Sequence, residues 1–144
     1  YFTKTELEIR VVPGPQDDCF TAKGLNTFFS TPYQLTNECD RTGLRLSGEQ
    51  IEHVVDGNIV SDAIACGSIQ VPSNGQPIVL MADCQTVGGY TKIATVITAD
   101  QPLLAQAKPG TKVSFQKVGI RQAQDIYIAQ EKELNQLERR LNGR

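Results

Sequence analysis

The sequence has no tryptophan, a single histidine (His53) and a single methionine (Met81). One imidazole confines any serine or cysteine nucleophile to that one base, and the neighbours Glu52, Val54 and Val55 give it no special setting. His53 reads as an ordinary strand or loop residue. There is no Walker loop, no Gly-x-Gly-x-x-Gly, no Gly-x-Ser-x-Gly and no His-Glu-x-x-His, so no complete catalytic signature is present. Positive charge is not in surplus. The formal net charge is −2 and the pI about 5.4, which excludes nucleic acid as a partner, because binding to phosphates depends on clustered Lys and Arg. No apolar run approaches a membrane span; the longest, Gln76–Ala82, reads as a buried strand. Tyr1-Phe2-Thr3-Lys4 is not followed by the apolar stretch of a signal peptide, and the missing initiator methionine is read as truncation. Cys19, Cys39, Cys66 and Cys84 include no close pair of the kind zinc needs, and a chain of 144 residues does not need disulfide staples. They are expected to be buried free thiols, with no metal site.

What is present is a series of short strands. Glu6–Val12 alternates, with Leu7, Ile9 and Val11 on one face, and Pro13-Gly14-Pro15 stops it. Asp17-Asp18 open a short helical segment carrying Phe20, Leu25, Phe28 and Phe29 as candidate core. Tyr33–Glu38 and Thr42–Leu46 read as strands. Ile69–Val71 and Gln76–Ala82 form the clearest hairpin, since Asn74-Gly75 supplies the positive φ of a tight reversal. Tyr90–Thr98 follows, then helical turns in Asp100–Ala107 and a last strand, Thr111–Val118. Ile126, Gln130, Leu134, Leu137 and Leu141 recur at helical spacing, so Arg121–Leu141 is an amphipathic helix, first read as packed on the body and second as a partner-docking element. This order predicts a mainly β domain, barrel or sandwich, with few helices.

Two polar clusters stand out. The first runs through Gln70, Asn74 and Gln76 to Asp83, Thr86, Gly88, Gly89, Tyr90 and Lys92. Gly88-Gly89 removes two β-carbons, so backbone can approach a ligand; Tyr90 and Lys92, two apart on a strand, share a face. Lys92 offers a cation, the amides offer neutral donors and acceptors, and Asp83 accepts an amide N–H or anchors Lys92. The same residues also read simply as turns around two hairpins. The second cluster is Asp40-Arg41-Thr42-Gly43-Leu44-Arg45 with Ser61-Asp62, where Arg41 is either a fork for a carboxylate or phosphate or half of a surface ion pair.

These stretches carry a family resemblance. Val11-Val12-Pro13-Gly14-Pro15-Gln16-Asp17, Asp40-Arg41-Thr42-Gly43-Leu44-Arg45-Leu46, Gly67-Ser68-Ile69-Gln70-Val71-Pro72, Asn74-Gly75-Gln76-Pro77-Ile78 and Gly88-Gly89-Tyr90 occur in the order seen in the allophanate-hydrolase-subunit-2 family. The chain resembles the C-terminal half of such proteins over about residues 6 to 118. The resemblance implies a cyclophilin-like β-barrel over residues 1–120, part of a longer subunit, with a C-terminal helix over 121–144. Two departures, Thr91 where members often have Pro and Cys84 where they often have a larger polar residue, put the subfamily in question; Thr91 is expected to loosen its loop.

Family members take part in ATP-dependent cleavage of 5-oxoproline to glutamate, in carboxyl transfer from carboxybiotin to urea, or in relieving inhibition of a sporulation histidine kinase. By that resemblance the expected partners are a subunit-1-type (Kip-inhibitor-like) protein, a lactam-hydrolase subunit and a small amide substrate. ATP is expected only in the whole complex, biotin only for urea carboxylation, and neither on this piece alone. Asp83 and Lys92 become catalytic candidates; Arg41, Gln70, Asn74, Gln76, Thr86, Gly88, Gly89 and Tyr90 become substrate-binding candidates. The implied location is cytoplasmic, and the chain by itself is expected to be inactive.

Overall fold

The computed structural model describes residues 6–14 and 16–142; Pro15 of the opening motif and the side chains of Ser61 and Asp62 lie outside the described residues. Strands β1 (Glu6–Pro13), β2 (Tyr33–Cys39), β3 (Gly43–Ser47), β5 (Ser68–Val71), β6 (Ile78–Leu80), β7 (Val87–Val96) and β8 (Lys112–Lys117) follow one another around a closed ring in the order β1-β8-β2-β3-β6-β5-β7. Pairing of Val11 with Val96 and of Pro13 with Ala94 returns β7 to β1 and shuts the barrel. Strand β4 (Asn58–Ala63) stands outside the ring on the first residues of β7. The helices are α1 (Ala22–Ser30), α2 (Gln101–Ala105) and α3 (Ile120–Asn142). The mainly β barrel with a terminal helix that the sequence led us to expect is therefore the fold.

The alternation in β1 is realised as Leu7, Ile9 and Val11 turned inward, with Ile69, Val79, Ile93 and Val113 from the surrounding strands filling the interior. Helix α1 plugs this core: Phe28 is fully buried and stacks on Phe115 with ring centroids 4.6 Å apart. The expected helix from Asp17 is split. Asp17–Cys19 form one 3-10 turn, Phe20 leaves it to bridge His53, and α1 starts afresh behind Thr21, whose hydroxyl accepts from Gly24 N at 3.0 Å. Gly24 is required there because a Cβ would collide with the Glu52 carbonyl.

The β5–β6 hairpin forms as read, with Ile69 opposite Val79 and Gly75 at φ +75°. Strand β7 begins three residues earlier than its pattern suggested, because Val87–Tyr90 pair with β4 rather than with the barrel. The cysteines differ from expectation: all four are free, but Cys66 is exposed and the other three are half-buried.

Helix α3 also departs from its first reading. No residue of it is buried, and Leu134, Leu137 and Leu141 are 53%, 52% and 65% exposed. The chain stays on the barrel as far as Val118, whose N–H donates to Val11 O, and the helix then runs outward. Only its first turns face the barrel, across a groove. Among the described residues no helix is long and apolar enough to cross a membrane.

Candidate functional site

Gln70 of β5 and Lys92 of β7 are direct cross-strand partners, so their side chains leave the sheet on one face. Both are almost fully buried, at 4% and 3% exposure, under β4 and the start of β7. Lys92 Nζ donates to the Ala63 carbonyl at 3.2 Å, and Lys92 N donates to Gln16 Oε1 at 3.1 Å. Gly88 lies over Gln70, whose Nε2 has no hydrogen-bond partner among the described residues. The glycine thus makes room for a neighbouring side chain, and the amide and amine are roofed by the protein itself.

Thr91, between Tyr90 and Lys92, turns to the other side of β7. Its buried hydroxyl donates to Val71 O at 3.0 Å, and its N–H donates to Gly57 O at 3.0 Å. His53 Nε2 donates to the same Val71 carbonyl at 2.9 Å, and its ring lies 4.7 Å from that of Phe20. His53 is structural, and Thr91 is tied to both Val71 and Gly57.

The remaining candidates lie elsewhere. Asn74 Oδ1 accepts from Gln76 N at 3.0 Å, while Gln76 holds Gly48 through both its amide atoms, at 2.9 Å and 3.1 Å. These two residues pin the loop after β3. Thr86 is exposed and gives its carbonyl to Ile64 N; Gly89 is half-buried, and Tyr90 opposite Asn58 stays 42% exposed although Lys92, two residues on, is buried.

Asp83 pairs with Arg41, not with Lys92. Arg41 Nε is 3.1 Å from Asp83 Oδ2, and the side chains are 84% and 54% exposed. The backbone brings them together: Asp83 N donates to Arg41 O and Met81 N to Thr42 O, each at 3.0 Å. Asp40 caps the same turn, its Oδ1 accepting from Thr42 N at 2.8 Å and Gly43 N at 3.1 Å, which holds its carboxyl below the usual range. Beside them opens a recess of about 330 Å³. Arg41, Leu44 and Met81 line one side; Ala105, at the end of α2, and Ala107 and Pro109, from the segment after it, line the other. Among the described residues no partner takes the terminal nitrogens of Arg41. The sequence reading missed the 105–109 wall, which only the Lys108-Pro109-Gly110 stop could have signalled.

The candidates therefore occupy four places: a roofed Gln70–Lys92 pair, a loop pinned by Asn74 and Gln76, the outer arm that carries Thr86, Gly89 and Tyr90, and an open recess at Arg41 and Asp83. Among the described residues these candidates do not line one common recess.

Comparison with known proteins places the barrel. The family model for the carboxyltransferase domain, subdomain A and B, matches residues 2–117. The chain belongs to this carboxyltransferase-domain family. Two relatives are named as the C subunit of 5-oxoprolinase. That of Escherichia coli K12 is 38% identical over 94% of this chain and 44% of its own length, and that of Haemophilus influenzae 39% identical over 91% and 42%. The chain thus spans under half the length of these curated relatives. Among solved structures, the urea amidolyase of K. lactis superimposes with a TM-score of 0.87 at 22% identity, over 94% of this chain and 9% of that one. That likeness shows the same fold over most of the chain.

Proposed function

We propose that this carboxyltransferase-domain chain is the barrel half of a 5-oxoprolinase C subunit, and that it supplies one wall of a composite site for 5-oxoproline. The observation that carries the reading is the 38–39% identity, over more than nine-tenths of the chain, to two proteins of that name. The substrate is a small ring bearing a carboxylate and a lactam amide. A recess of about 330 Å³, apolar at Leu44, Met81, Ala105 and Ala107 and edged by Arg41, suits such a molecule: the ring lies on the apolar walls and the carboxylate on the terminal nitrogens of the guanidinium. Asp83 holds the other edge of Arg41 and positions it. The Gln70–Lys92 pair, already covered by β4, supports the β5–β7 wall.

Opening a lactam requires an activated carbonyl and a nucleophile. His53 is committed to Val71 O, and the recess offers one arginine already bridged to Asp83. The sequence carries no phosphate-binding loop, and we place ATP and the activation it provides in the remainder of the subunit or in companion subunits, of which a subunit-1-type protein and a lactam hydrolase are the proposed partners. By itself the chain is inactive. A second reading, carboxyl transfer to urea with biotin as carrier, draws on the family's carboxyltransferase description.

The test is reconstitution of the full-length protein with its companions, following ATP-dependent formation of glutamate. Losing one charge-assisted contact costs about 1.5–3 kcal/mol, so Arg41→Ala should raise KM for 5-oxoproline by roughly ten- to a hundredfold with a smaller change in kcat. An unchanged KM would remove the recess from the substrate site. A complex that carboxylates urea and leaves the lactam intact would establish the second reading instead.

A further inference from the structure

Along α3, Ile120, Tyr127, Leu134 and Leu141 recur at every seventh residue, and Ala123, Gln130 and Leu137 follow the first three at a spacing of three. These are the a and d positions of a heptad repeat, the spacing that keeps one seam of a helix facing a partner helix. The protein does not cover this seam. Ile120 and Tyr127 are 65% and 45% exposed, and the leucines of the last turns are more than half exposed. At the other end of the helix an apolar groove of about 790 Å³ separates Ile120, Ala123 and Tyr127 from the barrel surface at Val12, Val96 and Ile97. One helix therefore carries a row of exposed leucines at its end and an unfilled apolar groove at its beginning.

We propose that α3 pairs antiparallel with α3 of a second copy of this chain, so that Leu134 and Leu137 of each copy enter the groove of the other. Charge and shape choose the direction. A parallel pair in register sets Glu133, at a g position, against Glu138 of the second copy, at an e position, and symmetry repeats this like-charge contact. In the antiparallel pair Tyr127 lies opposite Gln130 of the second copy, Ala123 opposite Leu134, and Ile120 opposite Leu137. Small then faces large, while Glu133 comes level with Ile126 and Glu131 with Gln124, so no carboxylates meet. A parallel pair would bring each leucine end to the other and leave both grooves unfilled. The antiparallel pair fills both, and its two-fold axis makes the contact self-complementary and closed. Ile120 to Leu141 spans about 31 Å at 1.5 Å per residue, so the barrels stand at opposite ends of the helix pair. The pairing does not depend on the 5-oxoprolinase reading.

Sedimentation equilibrium of the whole 144-residue chain tests it, with a mass of twice 15.8 kDa expected. The double variant Leu134→Glu/Leu137→Glu should weaken association about a hundredfold, as expected when central apolar anchors of an interface are replaced by charge. Its circular dichroism and melting temperature at low concentration should stay those of the unaltered monomer, since both residues are exposed there. Orientation is read by mixing a chain carrying Ala123→Cys with one carrying Leu134→Cys, oxidising, and mapping the bridged peptides. A bridge between 123 and 134 supports the antiparallel pair. A monomer up to about 100 µM, a dimer that survives the double glutamate variant, or a 134–134 bridge in place of 123–134 would each overturn it.

Discussion

Gly88 lies so close over Gln70 that a Cβ at position 88 would come within 2.8 Å of Gln70 Nε2 and 2.5 Å of Ile64 Cδ1. The contact joins the outer arm, β4 and the start of β7, to the barrel wall at β5. It explains the absence of a side chain at 88 without a ligand, and it closes the roof over the Gln70–Lys92 pair.

Gly88→Ala should therefore destabilise the protein, by about 1–3 kcal/mol, the range for overfilling a packed site. Both obstructing atoms are side-chain ends, so Gln70→Ala in the same chain should recover part of the loss. A double-mutant cycle in urea measures the coupling, and strictly additive effects would show that the two residues do not touch.

Arg10 and Asp100 form a second tie, between β1 and the turn before α2. Asp100 Oδ2 accepts from Arg10 N at 2.8 Å and Arg10 Nε at 3.0 Å, while Oδ1 accepts from the terminal guanidinium nitrogen at 2.7 Å. Asp100 is buried and Arg10 is 36% exposed, so water can take back part of the arginine when its partner is removed. Asp100→Ala should cost about 2–3 kcal/mol, below the figure for a fully buried pair, read from the shift in the urea midpoint at constant slope.

Asp40 carries an acid dependence. Its carboxyl is lowered from the usual value by hydrogen bonds from Thr42 N and then Gly43 N. A depressed folded-state value means that the unfolded chain binds the proton more readily. The stabilisation is then complete above the unfolded value near 4 and is lost as pH falls through the folded one. Asp40→Asn keeps an acceptor in the turn but cannot titrate there. Melting temperature followed from pH 5 down to pH 2 should fall less steeply in this variant than in the parent.

Thr91 tests the inner side of β7. Thr91→Val removes the hydroxyl bond to Val71 O and should cost about 1 kcal/mol. Thr91→Pro removes the N–H bond to Gly57 O as well and should cost more, about 3 kcal/mol, measured in the same urea titration. Equal losses in the two variants would mean that the Gly57 contact contributes nothing.

The barrel was largely legible because its determinants are local. The alternation of Leu7, Ile9 and Val11 and the Asn74-Gly75 reversal each fix an element without knowledge of the rest of the chain. The site was less legible because its contacts are set by register between distant strands. Gln70 meets Lys92 through the β5–β7 pairing, and Asp83 meets Arg41 through the pairing of β3 with β6; neither is encoded in the spacing of either partner. Polar residues that look alike in sequence thus served unlike ends. Gln76 holds the Gly48 backbone, Gln70 fills space under Gly88, and Arg41 borders the recess. The stripe on α3 was visible from its spacing, but whether the helix covers that stripe depends on its direction after Gly119.

The barrel closes on its own first strand. Glu6 pairs with Lys112 and Val11 with Lys117 in the β1–β8 ladder, and the same β1 is bonded to β7 on its other edge. On a ribosome, Glu6–Pro13 would leave the exit tunnel roughly a hundred residues before its parallel partner is made, and its edge toward β8 stays bare until then, even after β7 has emerged to cover the other. Assembly of this module is consequently a late, concerted event, and any truncation before Lys112 leaves an open, adhesive sheet in place of a smaller barrel.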